Sequence, residues 1–471
     1  MLSGIREHLS VRHAGLLALC VLAWVYMALF RYDLYGIEEA AARALLINWS
    51  IIHQIASPVA LFGVPDMRGF FFVLLDLHWA GSLVAAKVFT MLVLFASILL
   101  LYRWGERVHG AEPSMIACGL LPLLPISIMQ ADSVGGGVYL FMALLIIAWL
   151  NKNIQASEFH LPGQIFLQGV LVAFAITIHP IGLAAALVLA VLWWFDTDKL
   201  RKKRRNVLIA LVIAVTIPLL LRMGWPDIAG MNMGFLPFVS TIFLGPDLLP
   251  VAINIRTGVG LICMVLLLVI FLVHAIRKTS DPFSLFLMVG LIVGSFHINA
   301  VWVFMAAVAL LYLGAPVLID LNQRLGWQGI LGQRGVVLIV VFIMATTAMI
   351  SDRYYRNIEK QHLLSETDQL IAKLASEASD KKQEFLVASE WPARTMLAVK
   401  RDVLPLPYGR EGDDSQVFLQ RISGVTHFVF DPTKEINKGL VVQFSALNAY
   451  YETIALSHNG VILKIRENIG E

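Results

Sequence analysis

Two adjacent carboxylates, Glu38 and Glu39, follow shortly after a hydrophobic run that ends at Phe30. If a helix starts near Ile37, Glu39 meets Arg43 one turn later in the favourable Glu-first order, an ordinary surface pair. Both acids would also suit a helix N-terminus through the macrodipole. Glu38 differs, because Ala41 and Ala42 occupy its i+3 and i+4 positions and leave its carboxylate free to act elsewhere. A third acid, Asp132, closes an apolar run just before the Ser-Val-Gly-Gly-Gly segment 133–137. An acid at a membrane interface is a functional candidate by default, and its alternative role is to cap the following helix. His179, ahead of Pro180, and His297, near Asn299, stand at helix ends on the same side; a lone histidine there is more often structural. Asp33 and Asp66 are loop acids without an evident partner. A carboxylate at a water–lipid boundary can accept a proton or help hold a divalent cation. No His-rich or paired-acid cage stands out beyond a Glu38, Glu39 and Asp132 grouping, so no cofactor is expected and a divalent cation stays open.

The elements that must position these groups are membrane spans. Of 471 residues, 58% are hydrophobic and 15% charged, and mean hydropathy is +0.75, far from the soluble norm of about 25% charged. Runs able to cross roughly 30 Å of hydrocarbon recur near 14–30, 83–102, 113–130, 136–150, 164–178, 180–195, 206–222, 259–275, 283–298, 300–318 and 335–350. The reading is a polytopic α-helical membrane protein of about 11 transmembrane helices over 1–350, with long outer loops at 31–82 and 223–258. A small soluble α/β domain follows at 351–471. Basic residues alternate to one side: Arg6 and Arg12, Arg103 and Arg107, Lys152, Lys199 with Arg201 to Arg205, Arg277 with Lys278, and Arg324 with Arg334. By the positive-inside rule that side is the cytoplasm of an inner, cytoplasmic membrane, with the N-terminus inside and the C-terminal domain outside. The run from Lys199 to Arg205 is then a topological anchor, and the net charge of +3 is no nucleic-acid footprint. Cys20, Cys118 and Cys263 all lie in predicted spans, which implies no disulfide framework. In the tail, Leu370 and Leu374 keep helical spacing, while 384–389, 394–399, 426–431, 439–444 and 460–465 read as β-rich runs. There is no G-x-G-x-x-G and no P-loop, and His427 reads as a strand residue.

Several features in order resemble the GT-C class of integral-membrane glycosyltransferases, in particular the branch of protein O-mannosyltransferases and lipid A aminoarabinose transferases. An acidic pair, Glu38-Glu39-Ala40, opens the first outer loop, where the family usually has Asp-Glu-Ala. A Gly-Val-Pro-Asp-Met-Arg segment at 63–68 stands where the family commonly has a basic residue with two prolines. The span from His78 ends in a Leu-Tyr-Arg-Trp-Gly turn, and the stretch 123–141 is similar to the family's third span and its passage through an acid, Asp132, into the fourth. The resemblance is good over roughly 10–150 and topological over 150–350. It implies transfer of a sugar from a polyprenyl-phosphate donor to a lipid, glycan or protein acceptor on the outer face, with inversion. Glu38 would be the base that takes the acceptor hydroxyl proton, with Glu39 second and Asp132 a further catalytic candidate. Arg68, Arg256, His297 and His179 would hold the donor phosphate. Two departures bear on geometry: Glu38 replaces the usual Asp and reaches one methylene farther, and the double proline is missing.

Three other readings compete: a transporter or flippase for lipid-linked glycans, a polysaccharide polymerase, and a non-catalytic scaffold for envelope assembly. A conduction path would place charges or broken helices in mid-membrane. Here the spans are nearly free of ionisable residues apart from Lys87, and the acids gather at one interface. That pattern favours interfacial chemistry.

Overall fold

The computed structural model describes residues 25, 39, 41–46, 68, 83–157, 161–195, 201–220, 239–240, 242, 253–276, 281–296, 299–324, 366–380, 385–407, 415–434, 437–457 and 460–466. The predicted spans 14–30 and 335–350 fall almost wholly outside these residues. The chain divides into two compact units: Met1–Asp33, Ala86–Trp225 and Asn232–Ile358 form the first, and Leu34–Ala85, Pro226–Met231 and Glu359–Glu471 the second.

The elements described in the first unit are helices. Its elements are α1 (Leu83–Val108), α2 (Ala111–Leu120), α3 (Pro125–Asp132), α4 (Gly136–Ala156), α5 (Pro162–Ile178), α6 (Ile181–Trp194), α7 (Arg201–Leu220), α8 (Ile253–Ile276), α9 (Pro282–Gly294) and α10 (Ala300–Arg324). Among the described residues, α1, α4, α8 and α10 are long and apolar enough to cross a membrane, and the α2–α3 pair, bent by 59°, makes a fifth if it is one span. Pro122 and Pro125 explain that bend, because proline removes a backbone donor and crowds the preceding turn. The helices α5, α6 and α9 are apolar but shorter. Along its described residues each predicted span from 83 to 318 is helical, 113–130 falling on the broken α2–α3 pair, and the chain is a multi-pass membrane protein. The total of eleven stays an expectation from the sequence.

Small residues set how closely these helices approach, as expected where lipid offers no hydrophobic drive for association. At the α5–α6 turn, a Cβ on Gly182 would lie 2.3 Å from the carbonyl carbon of Ala175 and 2.4 Å from the nitrogen of Ile176. Backbone cannot yield as a side-chain tip can, so Gly182→Ala is expected to cost about 1–3 kcal/mol. Gly163→Ala, where a Cβ meets open space, should be near neutral; thermal unfolding of the two detergent-solubilised variants checks the contrast.

One end of the unit collects cations over indoles. Arg107 lies 4.5 Å from the Trp149 ring centre, Lys152 5.5 Å from Trp104, and Arg204 5.2 Å from Trp194. Lys203, buried, donates to the carbonyls of Ile154 and Ser157 and so satisfies the C-terminal end of α4. The basic stretch read as a topological anchor thus begins α7 and also caps a neighbouring helix. Beside it, Asp281 caps α9 through the Ser284 N–H at 2.9 Å and accepts from Trp104 Nε1 at 2.9 Å and the Tyr312 hydroxyl at 3.2 Å. Cys118 and Cys263 are buried free thiols, while Cys20 lies outside the described residues.

The second unit holds a mixed five-stranded sheet in the order β2-β1-β3-β5-β4. Its strands are β1 (Val387–Ser389), β2 (Val403–Pro405), β3 (His427–Phe430), β4 (Tyr451–Ser457) and β5 (Gly460–Ile465). The pairs β2–β1 and β1–β3 are parallel, and β3–β5 and β5–β4 antiparallel. Helices α11 (Glu366–Asp380), α12 (Pro392–Val399), α13 (Ser415–Arg421) and α14 (Lys438–Ala446) belong to the same unit. The core is aromatic: Phe418, Phe428, Phe430, Phe444 and Tyr451 pack together, and burial pushes the Tyr451 hydroxyl up to about 12.

Two of the predicted β-rich runs are helices. Residues 394–399 belong to α12, where Pro392 occupies the first turn and Met396 and Val399 fall on one buried face. Residues 439–444 belong to α14, where Leu440 and Phe444 are buried one turn apart. Short runs of valine and leucine fit either period, and the tertiary core decides between them. His427 is a buried strand residue, as read from the sequence.

Candidate functional site

Lys87 is fully buried one turn into α1, and its ammonium lies 3.2 Å from an Asp132 carboxylate oxygen, itself only 5% exposed. A charge this deep is stable only when paired, because the desolvation penalty otherwise amounts to several kcal/mol. The local backbone holds the acid in place. α3 ends at Asp132, Ser133 bonds back to Met129, and Val134 turns the chain at φ 57. A β-branched residue rarely adopts that left-handed region, and such strain tends to persist where the surroundings over-determine it. Gly135 N–H then bonds to the Gln130 carbonyl at 2.7 Å, and the Gln130 side chain accepts from Gly137 N–H at 2.9 Å. A Cβ on Gly137 would meet that same oxygen at 2.7 Å, so the glycines allow the side chain to lie against the start of α4. The cap at this end is thus supplied by Gln130, while Asp132 faces Lys87. Close by along α1, the Thr90 hydroxyl is 2.8 Å from the Tyr139 hydroxyl.

His179 stands at the α5–α6 junction of the same unit, buried, with Nδ1 accepting from Ile181 N–H at 3.2 Å. Asn299 caps α10 through the N–H groups of Val301 and Trp302. Arg256 is buried in the first turn of α8. His297 lies outside the described residues.

In the second unit Glu39 is engaged twice over. Its carboxylate accepts from the N–H groups of Ala393 at 2.9 Å and Arg394 at 3.1 Å, at the N-terminus of α12, and Arg43 Nε stands 3.5 Å away. The i+4 pair read from the sequence is present. The tie to α12 is legible only in three dimensions, since the partners are more than 350 residues apart. A carboxylate on two orphan amides is a charge-assisted cap, so Glu39→Ala is expected to cost about 1–2 kcal/mol. Chemical denaturation followed by the fluorescence of Trp391 beside α12 checks that loss. Arg394 is further held by Asp368. Arg68 is buried in this unit, and Glu38 lies outside the described residues. At the ends of β1 and β3, buried Glu390 accepts from Asp431 N–H at 2.8 Å and Asn437 Nδ2 at 2.9 Å and pairs with Lys434.

Of the residues singled out from the sequence, the first unit thus holds Asp132, His179 and Arg256, and the second Glu39 and Arg68. Lys87 is the residue the candidate set missed. Its signal was present, because a lone ionisable residue in an apolar span requires a partner. Among the described residues no group of three His, Cys, Asp or Glu side chains could hold a metal ion.

In fold the chain is similar to solved membrane glycosyltransferases of the GT-C class. ArnT from Cupriavidus metallidurans bound to undecaprenyl phosphate superposes with a TM-score of 0.55, over 97% of this chain and 98% of its own, at 14% identity. The apo oligosaccharyltransferase of Archaeoglobus fulgidus gives 0.56 over 95% and 73%, at 10% identity. The archaeal oligosaccharyltransferase AglB from Archaeoglobus fulgidus, in complex with an inhibitory peptide and a dolichol-phosphate, gives 0.55 over 97% and 75%, at 9% identity. No protein-family model and no curated protein sequence matches the chain. At these identities the likeness is one of fold.

Proposed function

We propose that the protein is a glycosyltransferase that moves a sugar from a polyprenyl-phosphate donor to a lipid, glycan or protein acceptor at the outer face of the cytoplasmic membrane, with inversion. The observation that carries this reading is the near end-to-end correspondence with the undecaprenyl-phosphate-bound ArnT fold. Fold alone hosts many functions; the buried Lys87–Asp132 pair adds a charged site at one end of the bundle. The N-terminus is cytoplasmic and the C-terminal unit lies outside in this reading, as the basic loops indicate.

In the reaction, Glu38 accepts the proton of the acceptor hydroxyl while that oxygen attacks the anomeric carbon from the face opposite the phosphate. The bond from the anomeric carbon to the phosphate oxygen breaks, and polyprenyl phosphate leaves with the electron pair. Arg68 and Arg256 serve the developing charge on the phosphate, with His179 and His297 assisting, because fixed cations in a half-buried site act more strongly than in water. Asp132 pairs with Lys87 in the first unit. Glu39, bound to α12, orients the first loop and stands second to Glu38 as base.

The test is release of free polyprenyl phosphate by purified protein from a panel of polyprenyl-phosphate sugars, with membrane extract as acceptor. Release from one donor and dependent on Glu38 supports the class and narrows the sugar. No release from any donor, with folded protein, overturns it in favour of a scaffold or transporter.

A further inference from the structure

At the end of the first unit opposite Lys87 and Asp132, α1 and α4 enclose an apolar cleft of about 160 Å³ lined by Leu100, Trp104, Leu145, Ile146 and Trp149. Leu100, Ile146 and Trp149 are each only half-buried, so the cleft opens on the helix surface. Its rim is cationic. Arg107 is held over the Trp149 ring and Lys152 over Trp104, and both are exposed. Arg103 is paired with Glu106 at 3.8 Å, whereas among the described residues neither Arg107 nor Lys152 forms an ion pair. Glu112, on α2, and Asp281, which accepts from Trp104 Nε1, are further acids at this end.

We infer that this cleft binds an anionic phospholipid of the leaflet facing the basic loops, its acyl chain in the apolar cleft and its phosphate between Arg107 and Lys152. Charge complementarity selects the occupant. Each cation sits on the face of an indole, where the ring quadrupole fixes it without neutralising it, so it can still receive a phosphate oxygen. Arg107 also stands in the last turn of α1, where the dipole end is negative and favours a cation. Trp104 is itself locked by its 2.9 Å hydrogen bond to Asp281, so one wall and one cation are preorganised before the lipid arrives. A zwitterionic lipid could fill the apolar cleft but would bring its own cation to a cationic rim. The site is separate from the proposed sugar-transfer residues and does not depend on that reading.

The full chain is reconstituted in nanodiscs of phosphatidylcholine containing brominated phosphatidylglycerol or, in parallel, brominated phosphatidylcholine. The fluorescence difference between the unaltered chain and Trp149→Phe isolates Trp149. Brominated phosphatidylglycerol is expected to quench Trp149 with about a 10- to 30-fold preference over the brominated zwitterionic lipid, the size that two juxtamembrane basic residues supply. Arg107→Gln with Lys152→Gln, both at exposed positions, should bring the two lipids to parity. Ile146→Phe, which fills the cleft and keeps both cations, should weaken quenching by either lipid. Soluble glycerol phosphate should not displace the brominated lipid. Equal quenching by both lipids in the unaltered chain, a preference that survives the double substitution, or displacement by glycerol phosphate would each overturn the assignment.

Discussion

Glu38→Gln is expected to lower the release of polyprenyl phosphate by about 10²- to 10⁴-fold, the usual contribution of a positioned general base. The amide keeps the shape of the carboxylate and loses its proton affinity, so expression, membrane insertion and donor affinity should be retained. Glu39→Gln is the informative companion. The Glu39 carboxylate is occupied by the Ala393 and Arg394 amides and by Arg43. A Gln there still offers one acceptor oxygen to α12, and its effect on turnover should be much smaller than that of Glu38→Gln. Comparable losses at both positions, read as kcat with a defined donor, would show that the pair acts as a unit through the position of the loop. A fully active Glu38→Gln protein would remove that residue from the mechanism.

Asp132→Asn should be the most destabilising conservative substitution in the first unit. It leaves the fully buried Lys87 ammonium facing a neutral amide, and removing one partner of a buried pair typically costs about 3–5 kcal/mol. Lys87→Met alone leaves a buried carboxylate and should be comparably harmful. The double variant Lys87→Met with Asp132→Leu removes both charges and should recover most of the stability, because well-packed apolar replacements of buried pairs are often neutral. Thermal unfolding in detergent reads stability, and the transfer assay reads function. A double variant that folds but does not release polyprenyl phosphate would assign the pair a role in the site beyond holding α1 against α3. A double variant that folds and works would make the pair purely structural.

The spans were legible because an apolar run able to cross a bilayer needs no tertiary partner to be recognised. The predicted run 136–150 became α4 at Gly136–Ala156, and 300–318 became α10 at Ala300–Arg324. Helix ends were less legible: α1 runs on to Val108 because Arg103, Arg107 and Trp104 can stay helical at an interface where their tips find water or an indole. The second unit was read half correctly. Its strands at 387–389, 427–430 and 460–465 carried enough β-branched and aromatic residues to be recognised, whereas α12 and α14 were mistaken for strands because their buried positions are too few to fix a period.

For the site, local chemistry pointed to the acids, and only the fold said what each one meets. The i+4 spacing of Glu39 and Arg43 is a property of one helix turn and was determined by sequence alone. That Glu39 binds the amides of α12, and that Asp132 faces Lys87 rather than capping α4, depends on contacts between distant segments. Composition and periodicity determined that this chain spans a membrane. Tertiary structure decided the partners, because a buried charge is stable only beside its counter-charge or hydrogen-bond donors, and packing alone sets which ones come within reach.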